Sequence, residues 1–253
     1  MNSSDTLCGK SYLVTGGEGL IGSRICKEIL DKGGYVISCD IKESLICEDQ
    51  HPNYSYFEAD ITTTDGLHQL KERIYSNNLN IEGFILSAYP RTQDWGRSFE
   101  NLDLDYLNLN LQLQLGSALI LSKIFCEYLV SNGGGNLIHI SSIQGLGAPK
   151  FEHYVGTKMT SPIEYTAVKA AKIAITKWLT KYYSNNNIRI NCVSPGGVED
   201  GQPPNFVEKY RSSCTNIGLL SPKEVADVVV FLLTDSSRGI NGQNIVIDDG
   251  WSL

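Results

Sequence analysis

The chain lacks the means to build a disulfide scaffold, a metal centre or a membrane span. Its seven cysteines (Cys8, Cys26, Cys39, Cys47, Cys126, Cys192 and Cys214) are scattered singly, odd in number, and include no Cys-x-x-Cys pair. That pattern argues against a disulfide framework or a zinc site and for free thiols in a reducing cytoplasm. No metal is expected. No run of 18 or more apolar residues occurs, so neither a membrane-spanning helix nor a membrane partner is expected. Residues 1–10 are polar and lack the apolar stretch of a secretory signal. Positive charge is also short: 21 Lys and Arg stand against 28 Asp and Glu, a net charge of −7. This opposes general nucleic-acid binding while leaving room for a local basic pocket.

What is present is regular alternation. Short apolar runs predict strands over 11–15, 35–39, 54–58, 83–87, 136–141, 188–193 and 244–247. Apolar residues at helical spacing predict helices over 20–32, 65–77, within 102–130, and over 161–183 and 222–233. Gly33-Gly34 and Gly133-Gly134-Gly135 act as stops, and Pro162 lies near a first turn. Such βα alternation implies an α/β fold: a single doubly wound, Rossmann-type domain over residues 1–253. Its parallel sheet has about seven strands, with helices on both faces. The segments 89–101, 145–161 and 195–220 read as long loops, which in a compact domain are usually functional.

The first strand runs into Thr15-Gly16-Gly17-Glu18-Gly19-Leu20-Ile21-Gly22. Gly16, Gly19 and Gly22 follow a strand and open a helix, where backbone N–H groups and the positive helix end can hold a pyrophosphate. A tight strand–helix turn would use the same glycines. Asp40 closes the second strand. A carboxylate there accepts hydrogen bonds from ribose hydroxyls and repels a 2′-phosphate, favouring NAD over NADP, although Lys42 is close. Asp60 can meet the adenine amino group or simply form a turn.

Two Tyr-x-x-x-Lys pairs occur, Tyr154/Lys158 and Tyr165/Lys169. Gly156 and Pro162 make a poor helix after Tyr154, whereas Tyr165 opens a good one. At i and i+4 the phenol and the ammonium share a face. A cation about 4 Å away is worth roughly 4 kcal/mol at an effective dielectric near 20, enough to draw a phenol well below its usual value near 10.

The order of glycine loop, Asp40, Asp60, Ser141-Ser142, Tyr165-x-x-x-Lys169 and Pro195-Gly196 resembles the short-chain dehydrogenase/reductase family over nearly the whole chain. The resemblance implies hydride transfer between nicotinamide and a carbinol or carbonyl carbon. Tyr165 would be general acid/base, Ser142 the polarising hydroxyl, and Lys169 the phenol's partner. It further implies cofactor contacts at Gly16, Gly19, Leu20, Ile21, Gly22, Asp40, Asp60, Ile61, Ala88, Tyr165, Lys169, Pro195, Gly196 and Val198, and assembly as a homotetramer or homodimer. Three departures stand out. The fourth strand ends Leu86-Ser87-Ala88-Tyr89-Pro90 in place of Asn-Asn-Ala-Gly. Gln114 falls where the family has a proton-relay Asn, with Asn110 a turn earlier. The glycine spacing is that of the family's longer, sugar-nucleotide branch.

Ala88-Tyr89-Pro90-Arg91, Ser141-Ser142-Ile143-Gln144-Gly145, Ala148-Pro149-Lys150-Phe151-Glu152, Pro195-Gly196-Gly197-Val198 and Asn241-Gly242-Gln243-Asn244-Ile245 look like flagellin-modification protein A-like and surface-polysaccharide oxidoreductases. A phosphorylated or nucleotide-linked sugar is the substrate this implies. Arg91, Trp95, Arg97, Lys150, His153, Lys158 and Arg211 stand in the loops that would meet it. A sugar-nucleotide epimerase or dehydratase retaining NAD, and a dinucleotide-binding redox sensor without turnover, are the competing readings.

Overall fold

A computed structural model describes residues 6–44, 51–76 and 80–253. The readings made on residues 1–5, on Cys47 and on the helix end at Asn77 lie outside these. Seven strands form one parallel sheet in the order β3-β2-β1-β4-β5-β6-β7. They are β1 Ser11–Thr15, β2 Tyr35–Asp40, β3 Tyr54–Glu58, β4 Ile81–Leu86, β5 Gly135–Ile140, β6 Ile188–Pro195 and β7 Asn244–Ile247. The helices are α1 Leu20–Asp31, α2 Thr64–Ser76, α3 Leu104–Leu111, α4 Ser117–Ser131, α5 Ile163–Tyr182, α6 Pro204–Arg211 and α7 Pro222–Leu233.

Every residue of β1 is buried, because a central parallel strand is covered on both faces. Successive side chains go to opposite faces. Leu13 joins a core with Phe84, Phe125 and Leu129 on the side of α2 and α4. Tyr12 and Val14 join the other, with Ile25, Ile29, Val225 and Val229 of α1 and α7.

Two elements depart from expectation. The segment 195–220 is no continuous loop but carries α6, whose Phe206 and Tyr210 are buried under Trp251. The long helical run is interrupted by a π turn at Gln112–Gly116 between α3 and α4. As a whole, Leu104–Ser131 is long and apolar enough to pass for a membrane span. Its Ala118, Leu121, Phe125 and Leu129 are spent on the sheet core.

The strand order reverses between β1 and β4, and the loops after both open at the carboxyl edge. That edge is where a doubly wound sheet takes its ligands.

Candidate active site

The chain turns from β1 into α1 through Gly16, whose φ is +70°. A Cβ at Gly16 would stand 2.6 Å from the Ala88 Cα, so the glycine loop lies directly on the backbone that follows β4. Gly19 stands at the head of α1 with no side-chain cap. The first N–H groups of the helix, with Leu20 and Ile21 in its first turn and Gly22 buried behind them, therefore suit an anion. Asp40 is fastened to this loop: one oxygen accepts from the Glu18 N–H at 3.0 Å, the other from the Ile41 and Lys42 N–H groups at 2.8 and 3.1 Å. Each carboxylate oxygen keeps acceptor capacity for a ribose hydroxyl. The uncapped helix head and the acceptor at the end of β2 together fit a dinucleotide.

Asp60 is exposed, and one of its oxygens accepts from the Thr62 N–H and hydroxyl at 2.9 and 2.7 Å. That is the turn-forming geometry. Ile61 packs into the core, so only its backbone can face a ligand. At the end of β6, past Pro195, the Gly196 N–H donates to the Ile247 carbonyl at 2.7 Å. Val198 bridges to Leu220. Both stay at the carboxyl edge.

Ser142 follows β5 in extended conformation, 6% exposed, and its hydroxyl accepts from the Gln144 N–H at 3.2 Å. Gly145 presses the next turn onto α5: a Cβ there would meet the Lys169 and Ala170 backbone at 2.7–2.8 Å. This contact sets Ser142 beside Tyr165, close enough for its hydroxyl to act on the phenol. Lys169 Nζ lies 5.1 Å from the Tyr165 ring centre and 5.4 Å from that of Tyr89, and donates to the Ile140 carbonyl at 3.3 Å. Ser142, Tyr165 and Lys169 thus converge at the carboxyl edge. Tyr154 and Lys158 do not form a helical pair, because Tyr154 caps a short 3-10 turn and Lys158 lies on irregular chain.

The electrostatics differ from the simple expectation. Burial holds the Tyr165 phenol above its ordinary value, with the Ser142 hydroxyl acting the other way. Burial likewise brings Lys169 down to about 8. The ammonium is directed at the Ile140 carbonyl, so in this structure desolvation outweighs its pull on the phenol.

Tyr154 still belongs to the site. Its hydroxyl accepts from Gln144 Nε2 at 3.2 Å, Ser161 donates to Gln144 Oε1 at 2.6 Å, and the ring packs on Phe206. Tyr89, standing where glycine was expected, meets Tyr165 and Trp95 edge-on at 5.6 and 5.7 Å. Asn110 is fully buried and committed to Thr92 and the Tyr106 carbonyl. Gln114, in the π turn, is 3% exposed with neither amide atom hydrogen-bonded.

Of the loop cations, Arg97 is paired with Asp94 and Asp103. Lys150 donates to the Trp251 carbonyl and stacks on its ring. His153 is buried against Ser213. Lys158 and Arg211 are exposed. Arg91 is exposed and lies 5.7 Å over the Tyr89 ring, with no carboxylate paired to it among the described residues.

Sequence reasoning missed two features. The Glu18 carboxylate, inside the glycine loop, is buried and accepts from Ser38 and from Tyr54 at 2.7 Å, tying the loop to β2 and β3. Lys172 is buried one turn past Lys169. A lysine on the core face of a helix was the available signal for the second.

The family model described as enoyl-(acyl carrier protein) reductase matches residues 18–252. A short-chain dehydrogenase from Leptospira borgpetersenii, solved with bound NAD+, superposes with a TM-score of 0.91 at 26% identity, over 100% of this chain and 96% of that one. The chain belongs to the short-chain dehydrogenase/reductase family and is an oxidoreductase. Among its relatives, the post-translational flagellin modification protein A of Campylobacter coli is 35% identical over 96% of this chain and 98% of its own length. The 7alpha-hydroxysteroid dehydrogenase of Bacteroides fragilis is 25% identical over 96% and 95%.

Proposed function

We propose that the protein is an NAD-dependent oxidoreductase of a phosphorylated or nucleotide-linked sugar, acting in surface-glycan or flagellin-modification biosynthesis. The observation that carries the reading is the convergence of Ser142, Tyr165 and Lys169 beneath an exposed guanidinium, Arg91, stacked on the ring that touches the Tyr165 phenol ring. The likeness to flagellin modification protein A supports the glycan setting. The carboxylate of Asp40 at the end of β2 supports NAD over NADP. The free thiols of the described cysteines support a reducing, cytoplasmic compartment.

Nicotinamide, when bound, supplies or accepts the hydride. The chain's residues manage the proton and the geometry. Ser142 hydrogen-bonds the substrate oxygen and holds it against Tyr165. Tyr165 takes the hydroxyl proton in oxidation and returns it in reduction. Lys169 places positive charge behind the phenol and stabilises phenolate as it forms. Tyr89 and Trp95 shield one side of the site from water, and Arg91 reaches for the anionic group of the substrate.

The test incubates the protein with NAD and a panel of phosphosugars and nucleotide-sugars while NADH absorbance is followed. Net NADH formation is expected. Tyr165→Phe should lower it by about 10²–10⁴-fold with NAD affinity retained, and Tyr154→Phe should cost far less. Product without net NADH would assign an epimerase or dehydratase, and tight NAD binding without turnover a redox sensor.

We also propose that the chain forms a homodimer or homotetramer, on the support of apolar side chains left exposed on α4 and α5. It has neither nucleic-acid nor membrane partners in this reading, consistent with its net charge of −7.

A further inference from the structure

The reaction outlined above has no use for Lys172, yet this lysine is 4% exposed and Lys169 only 6%. Both amines converge on one acceptor. Lys169 Nζ and Lys172 Nζ stand 3.3 and 3.4 Å from the carbonyl oxygen of Ile140, the last residue of β5. No carboxylate pairs with either among the described residues. The titratable groups around them are His139 on β5, Cys192 on β6 and, beside Lys169, the Tyr165 and Tyr89 phenols, whose ring centres lie 5.1 and 5.4 Å from its Nζ and which burial keeps neutral. Burial makes His139 a neutral ring, down to about 3, held between Ser122 of α4 and Thr176 of α5. Burial pushes the Cys192 thiol up to about 11, against the pull of both lysines. The π turn that packs on α5 carries no charge. Two ammonium ions at one carbonyl in a dry interior repel each other with nothing nearby to offset the cost.

We propose that Lys172 is a positioning residue acting through Lys169: near neutral pH the two amines share the Ile140 carbonyl and one positive charge, with Lys169 the ammonium beside Tyr165 and Lys172 the neutral amine behind it. The titration behaviour agrees. Burial first, and then the charge of Lys169, bring Lys172 down to about 7, whereas Lys169 stands at about 8. As pH falls through neutrality Lys172 charges. Positive potential then builds behind the catalytic pair. Resting on the NAD site proposed above, this disfavours the cationic oxidised nicotinamide relative to the neutral reduced one.

The direct test is a 13C NMR titration of Cε-labelled lysines in the full chain without added nucleotide. Two resonances should titrate near neutrality, apart from the remaining lysines. Lys172→Met should delete the lower one and leave the Lys169 step in place, Lys169→Met should move the Lys172 step to higher pH, and Lys172→Arg, a fixed charge, should move the Lys169 step lower. Lys172→Gln replaces the Met variant if that fails to fold. Both lysines titrating at ordinary values, Lys172 unmoved by loss of Lys169, or Lys169 unmoved in Lys172→Arg, would overturn the proposal. A second arm measures NAD+ and NADH dissociation constants by fluorescence between pH 6 and 8.5. Their ratio should rise several-fold toward acid in the wild type and stay flat in Lys172→Met, and a flat wild-type ratio overturns the link to the cofactor. If neither nucleotide binds, the cofactor reading fails while the NMR arm still decides the lysine pair.

Discussion

At the scale of single residues, partners decide which charges are available for recognition. Arg97, read from sequence as part of an anion grip, is consumed by Asp94 and Asp103 and lies over the Tyr106 ring. Lys150 is committed to Trp251. Among the described residues Arg91 is held by the Tyr89 face, which orients the guanidinium without neutralising it. A charge-assisted contact to phosphate is worth about 1.5–3 kcal/mol. Arg91→Ala should therefore raise KM for phosphorylated sugars roughly 10- to 100-fold and leave unphosphorylated analogues nearly unchanged. Steady-state kinetics on matched substrate pairs checks this, and an equal loss for both members of a pair would remove Arg91 from the phosphate contact.

At the scale of elements, what was legible followed from local rules. The β-branched runs of β1, β2 and β6, the Gly33-Gly34 stop and the Tyr165 helix start are readable because period and punctuation are local signals. α6 was not, since its Phe206 and Tyr210 gain meaning only against Trp251 from the chain's far end. The π turn at Gln112–Gly116 was equally invisible: its residues pack on α5, a contact between distant parts of the chain that composition does not announce. Site legibility divides the same way. The glycine loop, Ser142, Tyr165 and Lys169 could be read by spacing, but the burial that holds the phenol up and the lysine down could not. His139 illustrates the energetic side. Its ring joins α4, β5 and α5 through Ser122 and Thr176 at 2.9 and 2.8 Å, and burial brings it down to about 3. A folded-state value below the unfolded one means that the unfolded chain binds the extra proton between about 6.5 and 3. Stability from this group is present above that window and is lost as pH falls through it, by about 1.4 kcal/mol per pH unit. His139→Gln should flatten the fall between pH 6.5 and 4 in urea unfolding, relative to the wild type. Parallel curves for the two proteins would show that the ring carries no such load.

At the scale of the whole molecule, the sheet buries its apolar surface on both sides, yet one outer face stays unsatisfied. Leu119 and Ile120 of α4 are each 46% exposed, and Trp178 and Tyr182 of α5 are 61% and 65% exposed. The two α5 rings stack on each other at 4.8 Å, and Ala167, Ala170 and Ala174 leave the helix surface flat and exposed. Scattered single apolar residues need no explanation, but a stacked, exposed aromatic pair beside three exposed alanines on one helix, flanked by the exposed Lys177 and Lys181, does. A second copy presenting the same face would make a two-fold, self-complementary contact, and a stable one covers about 1,600 Å² in total. The same helix carries Tyr165 and Lys169 on its inner side, so association would also stiffen the support of the catalytic pair. Light scattering on size-exclusion eluate should give a dimer or tetramer at micromolar concentration. Trp178→Glu combined with Ile120→Lys should yield a folded monomer whose far-ultraviolet circular dichroism matches the wild type. A wild type that elutes as a monomer across that range, or a double variant that stays assembled, would place the contact elsewhere or remove it.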